Sequence, residues 1–229
     1  MKLGIMQPYF LPYIGYFQLI KAVDRYVIAD DMNYIKQGWI NRNNILLGGS
    51  PFRFNLTLIE ASINKRINEI YVVEEQYKLL KTIEVNYRKA PYFNQVFPTI
   101  EGIFGYEDKN LARFVGNSII KIVGYLRLDT KFLYNSDHEC EQTLKGQERL
   151  ISNCHIYGAK VYINAIGGTE LYDKETFRQA GIDLLFLKTH PIEYKQFNHP
   201  FVPNLSILDV LMFNSVEETN ELLMQYELV

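Results

Sequence analysis

The sequence predicts an α/β protein in which a parallel, Rossmann-like sheet carries helices on both faces. Short apolar segments recur along the chain, and segments with apolar residues at helical spacing separate most of them. Strands that alternate with helices in this way form parallel sheets that are covered on both sides. Five strands are predicted, at residues 2–6, 25–30, 131–134, 160–164 and 182–187.

The first predicted strand leads through a turn into a helix. Pro8 and Pro12 cannot lie within a central strand, so the chain turns after residue 6. Helical spacing of apolar residues then begins at Ile14 and ends near Ala22. Further on, "ILLGGSPFRFNLTL" has two apolar runs on either side of a Gly-Gly-Ser-Pro sequence, which predicts a β-hairpin.

The middle of the chain is predicted to be a helical insertion, from about residue 75 to 128, within a single domain of residues 1–229. A first helix ends before Pro91, because the residue that precedes a proline disfavours helical geometry. A second runs from Phe93 to Phe104, and a third carries one continuous apolar stripe.

The last third of the chain alternates between strands and helices again. Helices are predicted at residues 144–157, 176–180 and 206–213, and a final helix follows Ser215, whose hydroxyl has capping-box spacing to Glu218. The segment "THPIEYKQFNHPFVPNL", with three prolines, is predicted to be a long, well-ordered loop.

Composition argues for a cytoplasmic protein without affinity for DNA or membranes. The net charge of −2 gives no general attraction to polyanions, and no run of about 18 apolar residues exists that would span a bilayer. Two cysteines are too few for a disulfide framework; Cys154 is predicted to be a core residue and Cys140 an incidental thiol. The histidine spacings match no zinc pattern, so no metal is expected.

Ligands of parallel sheets bind beyond the carboxyl ends of the strands, which is where the unexplained polar and aromatic residues of this sequence lie. The tyrosine-proline turn after the first strand and the proline-rich loop near the end are predicted to converge there. Eleven residues are candidates for substrate binding: Gln7, Tyr9, Tyr13, Tyr16, Asp30, Trp39, Arg42, Asn43, Lys145, Asn164 and Asn204.

The candidate residues suggest particular roles. Trp39 can stack on a sugar or base, and Arg42 and Lys145 can hold phosphate. His190 or Asp31 can act as a general base. Structural roles stay open for several of them: the adjacent carboxylates as a helix cap, Trp39 as a core anchor and Arg42 as a surface ion-pair partner.

The turn into the first helix is similar in position to the His-x-Gly-His motif of nucleotidylyl transferases and class I synthetases. Here the motif is Tyr13-Ile-Gly-Tyr16, and a tyrosine hydroxyl donates a hydrogen bond but carries no positive charge at pH 7. A nucleotidylyl-transferase-like sheet is therefore an alternative within the Rossmann-like class, while adenylation by this chain is disfavoured.

Several longer motifs resemble those of the WbqC-like family. They are "MQPYFLPYIGYFQLI", "WINRNNI", "YRKAPYF", "KGQERLISNCHIYGAKVYINAIGG", "LYDKETFRQAGIDLLF" and "FVPNLSILDVL". The resemblance runs nearly end to end. One departure is "NAIGG", where a Ser-Gly-type turn is expected, and it leaves the role of Asn164 open.

The resemblance implies a transferase of bacterial surface-polysaccharide (O-antigen, lipopolysaccharide) biosynthesis. Such an enzyme would attach a glycyl-like aminoacyl group, or another acyl group, to the amine of a nucleotide-linked amino sugar, of which a dTDP-linked sugar is one candidate. The activated donor would be an aminoacyl-tRNA, an acyl-CoA or an ATP-derived adenylate, and tRNA is expected as a partner only in that role. Two alternatives stay open: a glycosyltransferase that uses a nucleotide-sugar, and a non-catalytic sugar-nucleotide-binding protein.

Overall fold

The computed structural model describes residues 1–138 and 143–229. Cys140 lies outside these residues. Cys154 is fully buried as predicted, and burial raises the pKa of its thiol to about 12. Within the described residues, no helix combines the length and the apolar character that crossing a bilayer requires.

Strands and helices alternate along the chain. The strands are β1 (Lys2–Met6), β2 (Arg25–Ile28), β3 (Arg42–Leu47), β4 (Ser50–Asn55), β5 (Leu58–Ile59), β6 (Tyr71–Val72), β7 (Lys131–Tyr134), β8 (Val161–Ala165), β9 (Asp183–Thr189) and β10 (Tyr226–Leu228). The helices are α1 (Ile14–Ala22), α2 (Tyr77–Tyr87), α3 (Phe93–Phe104), α4 (Leu111–Tyr125), α5 (Gly146–Ile156), α6 (Lys174–Gln179), α7 (Ile207–Phe213) and α8 (Val216–Leu222).

A six-stranded sheet in the order β10-β9-β8-β1-β2-β7 forms the centre of the molecule. Every pairing among β9, β8, β1, β2 and β7 is parallel, so the predicted parallel sheet is confirmed. In β1, for example, Leu3 pairs with Arg25 on one side and with Tyr162 on the other. The edge strand β10 was not predicted, because its three residues are too few to form an apolar run; it pairs antiparallel with β9.

The two faces of the sheet pack against separate cores. In β2, Tyr26 and Ile28 enter the core that contains α1, α4 and α7, whereas Val27 enters the core with Cys154 of α5 and Phe177 of α6. Successive side chains of a strand point to opposite faces, so burial of all three requires helices on both sides. The prediction of helices on both faces is therefore confirmed.

Several boundaries differ from those predicted. β2 ends at Ile28, two residues early, so Asp30 and Asp31 follow the strand instead of ending it. The predicted hairpin is present as β3 and β4, but the short pair of β5 with β6 was not predicted. The central helices form as predicted, while their interpretation as an insertion of residues 75–128 within one domain stays a prediction.

A buried carboxylate in α7 connects distant segments of the chain. Asp209 accepts hydrogen bonds from the hydroxyls of Tyr87 and Tyr194, both at 2.7 Å, and from the Gln196 amide at 2.6 Å. Burial raises the pKa of Asp209. The Tyr87 hydroxyl also accepts the backbone N–H of Leu46 at 2.9 Å. Asp209 thus joins α2 and the proline-rich loop to α7, and Tyr87 connects β3 to the same network.

We expect Tyr87→Phe to lower the free energy of unfolding by about 1–3 kcal/mol, because it leaves a buried N–H without an acceptor and removes a donor from a buried carboxylate. Urea denaturation measures the change. Tyr77→Phe is the matched control, since Tyr77 lies on the same helix and is 70% exposed. Equal stability of the two variants would show that the Tyr87 hydroxyl contributes nothing.

Candidate functional site

An aromatic cavity of about 400 Å³ lies between the ends of β1 and β8 and the start of α1. Its lining is dominated by aromatic rings and neutral amides: Met6, Tyr9, Pro12, Tyr13, Gly15, Tyr16, Trp39, Asn43, Asn44, Ala165 and Asn204. The tyrosine-proline turn and the proline-rich loop meet here as predicted, because Tyr13 and Ser206 form a β-bridge. Three segments distant in sequence therefore build one cavity.

The carbonyl of Leu11 holds these three segments together. It accepts hydrogen bonds from the Asn43 amide at 2.8 Å and the Ser206 hydroxyl at 2.7 Å. Leu11 is fully buried and has a φ of 44°, in the left-handed region that leucine rarely adopts. Two further backbone bonds reinforce the junction, from Ile207 N–H to the Pro12 carbonyl and from Ser206 N–H to that of Asn44, at 2.7 and 2.9 Å.

The tyrosines of the turn act as a wall and as hydrogen-bond donors. The rings of Tyr9 and Tyr16 lie 5.7 Å apart, and the Tyr16 hydroxyl donates to the Gln7 carbonyl at 2.9 Å. Burial raises the pKa of both hydroxyls, so they stay neutral at physiological pH. The ring of Tyr13 lies directly over Gly15, where an added Cβ would come within 2.3 Å of the Tyr13 hydroxyl.

Trp39 forms the solvent-facing side of the aromatic cavity and is 45% exposed. The guanidinium of Arg53 lies 5.9 Å from the centre of its ring. Arg42, in contrast, donates through Nε to the Gly38 carbonyl at 2.8 Å and does not line the cavity. Arg42 thus supports the loop through a backbone carbonyl, which differs from the surface ion pair that the sequence left open for it.

A second cavity, the α5 cavity, has a volume of about 450 Å³ and is charged. It is lined by residues from the first turns of α5 and from the ends of β1, β2, β7 and β8: Ile5, Met6, Gln7, Tyr9, Ala29, Asp31, Met32, Asn135, Leu144, Lys145, Gly146, Arg149, Leu150, Asn153, Tyr162, Asn164, Leu171 and Tyr172. It shares Met6 and Tyr9 with the aromatic cavity, so the two cavities adjoin.

Asp31 and Arg149 form a salt bridge at the wall of the α5 cavity. Their side chains are only 6% and 20% exposed. The amide of Asn135 donates to both Asp31 oxygens, at 3.0 and 3.1 Å. Asp31 is thus fully engaged as an acceptor, which suits a residue that positions Arg149 better than it suits a free base. Asn135 and Arg149 were not among the predicted site residues, although Arg149 shares the helical face of Lys145.

Asp30 has a purely internal environment. It is fully buried, and its carboxylate accepts the backbone N–H of Ser136 at 3.0 Å and the hydroxyl of the same residue. Asp30 lines none of the cavities described here. The Asp30 carboxylate thus stabilises the turn after β7, which is a structural role, but Asp30 is not the N-cap residue of a helix.

A third cavity of about 630 Å³, the proline-loop cavity, contains the predicted base His190. It lies under the proline-rich loop and is lined by Tyr13, Ile14, Thr189, His190, Pro191, Ile192, Glu193, Tyr194, Phe201, Pro203, Asn204, Leu205 and Val210. Tyr13 and Asn204 separate it from the aromatic cavity and belong to both. His190 is therefore one wall away from the aromatic cavity instead of inside it.

Comparison with known proteins places the chain in a family. The model of the WbqC-like protein family matches residues 7–221. The chain belongs to the WbqC-like family. A Mycobacterium tuberculosis (strain ATCC 25618 / H37Rv) protein with the name uncharacterized protein Rv1507c is 28% identical over 218 residues, which is 93% of each chain. No solved structure matches the chain.

The structure distributes the predicted site residues of this WbqC-like chain over three cavities. The aromatic cavity receives Tyr9, Tyr13, Tyr16, Trp39, Asn43 and Asn204. The α5 cavity receives Gln7, Tyr9, Asp31, Lys145 and Asn164, and the proline-loop cavity receives His190 and Asn204. In the described chain, no three His, Cys, Asp or Glu side chains are grouped closely enough to hold a metal ion.

We expect Gly15→Ala to displace the Tyr13 ring, because the new Cβ would occupy the space that the ring fills. A double-mutant cycle with Tyr13→Ala, followed by urea denaturation, should give a coupling free energy of about 0.5–2 kcal/mol. Gly102→Ala is the control: apart from its chain neighbours and the backbone of its own helix, no described atom lies within 4 Å of its added Cβ, and its coupling to Tyr13→Ala should be zero. Zero coupling at Gly15 as well would contradict the observed ring position.

Proposed function

We propose that this WbqC-like protein transfers an aminoacyl (glycyl-like) or other acyl group to the amine of a nucleotide-linked amino sugar in the synthesis of a bacterial surface polysaccharide such as the O-antigen. One observation carries the proposal: an aromatic cavity and a charged cavity adjoin at the carboxyl edge of a parallel sheet, sharing Met6 and Tyr9. A nucleotide-sugar has the same division, with an uncharged ring on one side and phosphates on the other.

The charged part of the ligand fits the α5 cavity. Lys145 and Arg149 lie one turn apart at the start of α5, where free backbone N–H groups also favour anions. Arg149 takes the phosphate role predicted for Arg42, because Arg42 is bonded to the Gly38 carbonyl. The salt bridge to Asp31 fixes the guanidinium at the cavity wall.

The sugar fits the aromatic cavity. Trp39 and the tyrosines of the turn provide flat surfaces for the sugar ring, and the neutral amides of Asn43, Asn44 and Asn204 provide polar partners. Because the pKa values of the Tyr9 and Tyr16 hydroxyls are raised by burial, these groups orient the ligand and do not accept its protons.

The reaction needs one general base, since an amine must be neutral to attack an acyl group. In the proposed step the sugar nitrogen forms a bond to the acyl carbon, the bond from that carbon to the oxygen or sulfur of the donor breaks, and the amine proton passes to a base. His190 is the candidate base, because Asp31 is engaged by Arg149 and Asn135. The donor would enter through the proline-loop cavity, which meets the aromatic cavity at Tyr13 and Asn204.

A non-catalytic sugar-nucleotide-binding protein is the second candidate. The described lining of the aromatic cavity contains no acid or base other than tyrosine hydroxyls, and aromatic walls serve binding as readily as catalysis. Glycosyl transfer from a nucleotide-sugar, considered from the sequence, gains no comparable observation from the geometry.

The test is incubation of the protein with a dTDP-linked amino sugar and, in turn, an aminoacyl-tRNA, an acyl-CoA, and an amino acid with ATP, followed by mass spectrometry. An amide of the sugar is expected. Release of free nucleotide without an amide would favour glycosyl transfer, and saturable binding without any product would favour the non-catalytic alternative.

We expect Trp39→Ala to weaken binding of the dTDP-linked sugar by about 5- to 150-fold, which corresponds to loss of a stacking interaction of about 1–3 kcal/mol. Calorimetric titration measures the affinity. Tyr71→Ala is the matched control, because Tyr71 is a similarly exposed aromatic residue that lines none of the three cavities. Equal affinities for the two variants would place the sugar elsewhere.

A further inference from the structure

A chain of hydrogen bonds runs from the salt bridge of the α5 cavity to a buried acceptor that has no partner within residues 1–138 and 143–229. Asn135 donates from Nδ2 to Asp31, and its Oδ1 accepts from Asn153 Nδ2 at 3.2 Å. Tyr157 donates to the same Oδ1 at 3.3 Å. Asn153 is only 2% exposed, and among the described residues nothing donates to its Oδ1.

The salt bridge fixes the direction of this chain. A carboxylate paired with arginine only accepts hydrogen bonds, so Asn135 must turn its NH₂ group towards Asp31. Its oxygen then faces Asn153, which must in turn present an NH₂ group. The free group of Asn153 is therefore an oxygen. The charge at Asp31 thus determines which atom of each asparagine amide is the oxygen and which is the nitrogen.

The unpaired oxygen belongs to the same helical face as the two cations. Lys145, Arg149 and Asn153 follow one another at four-residue intervals, and all three line the α5 cavity. Four residues of helix correspond to a rise of about 6 Å. The cavity thus has positive charge at the first turns of α5 and, about 6 Å further along the helix, a lining residue whose buried oxygen lacks a donor among the described residues.

We infer that the α5 cavity binds an anionic ligand that carries an N–H or O–H donor about one helical turn away from its charge, and that Asn153 recognises this donor. The inference rests on the proposed function, in which the ligand is the nucleoside diphosphate part of a nucleotide-sugar. The donor is then an N–H of the base or a hydroxyl of the ribose. A ligand with the charge but without the donor leaves the Asn153 oxygen unpaired and binds less tightly.

The experiment compares dTDP with inorganic pyrophosphate, which has the charge but neither base nor ribose. Isothermal titration calorimetry is performed on the wild-type protein and on Asn153→Leu, which has a similar volume and no acceptor. We expect dTDP affinity to fall about 5- to 100-fold in the variant and pyrophosphate affinity to change less than two-fold. N3-methyl-dTDP locates the donor: weakened binding to the wild type places it on the base, and unchanged binding places it on the ribose.

Asn117→Leu is the matched control. In the part of the chain that the structure describes, the Asn117 amide nitrogen is also buried without a partner, but Asn117 lies on α4 and lines none of the three cavities, so dTDP affinity should not change. Asn153→Ala serves as a second variant if Asn153→Leu does not fold, and thermal unfolding of each variant checks its integrity.

Three results would overturn the inference: dTDP binding no tighter than pyrophosphate binding in the wild type, an equal loss of both affinities in the Asn153 variants, or no loss of either. Failure of the acyl-transfer proposal is read separately, from the absence of an amide product. Asn153-dependent binding of dTDP without an amide product would support this inference and reject acyl transfer. An amide product together with Asn153-independent binding of dTDP would support acyl transfer and reject this inference.

Discussion

The carbonyl of Leu11 is the point on which the geometry of the site depends. It is buried away from water, and it is satisfied by side chains from two segments that are far apart in sequence, Asn43 and Ser206. A buried carbonyl without these partners would be unfavourable by about 1–3 kcal/mol. The turn after β1, strand β3 and the end of the proline-rich loop are thereby fixed relative to one another, and each of them supplies part of the aromatic cavity.

Charge and apolar surface are kept apart on either side of Met6 and Tyr9. The aromatic cavity is lined by neutral groups, whereas Lys145, Arg149 and Asp31 lie in the α5 cavity. A buried ion pair is stable only when further hydrogen bonds satisfy its atoms, and Asn135 supplies two of them to Asp31. The same arrangement orients the Asn135 amide and, through it, the Asn153 amide. One ion pair therefore determines how two buried amides of the cavity wall are turned.

The sequence was sufficient for the fold and for the meeting of the tyrosine-proline turn with the proline-rich loop, but not for the hydrogen bonds and ion pairs within the candidate site. Apolar strands alternating with helices predict a parallel sheet because burial on both faces leaves a direct trace in composition. The ion pair of Asp31 with Arg149 produces no recognisable sequence pattern, since the two residues are 118 positions apart and their side chains meet only after folding. Arg42 shows the same limit: its Nε donates to a backbone carbonyl, that of Gly38, and a sequence pattern does not indicate which backbone carbonyl a side chain will meet.

Asn204 of the proline-rich loop lines two cavities, and the loop is held by hydrogen bonds on both sides of this residue. On one side Gln196 accepts the N–H of Val202 at 2.7 Å and donates to Asp209 at 2.6 Å; on the other, Ser206 is bonded to Leu11. Between these anchors Asn204 has a φ of 58°, a left-handed conformation that surrounding structure must maintain. Because Asn204 lines both the aromatic and the proline-loop cavities, the strain lies at the wall that these two cavities share. Asp209 therefore helps to fix, through Gln196, the loop segment that separates the two cavities.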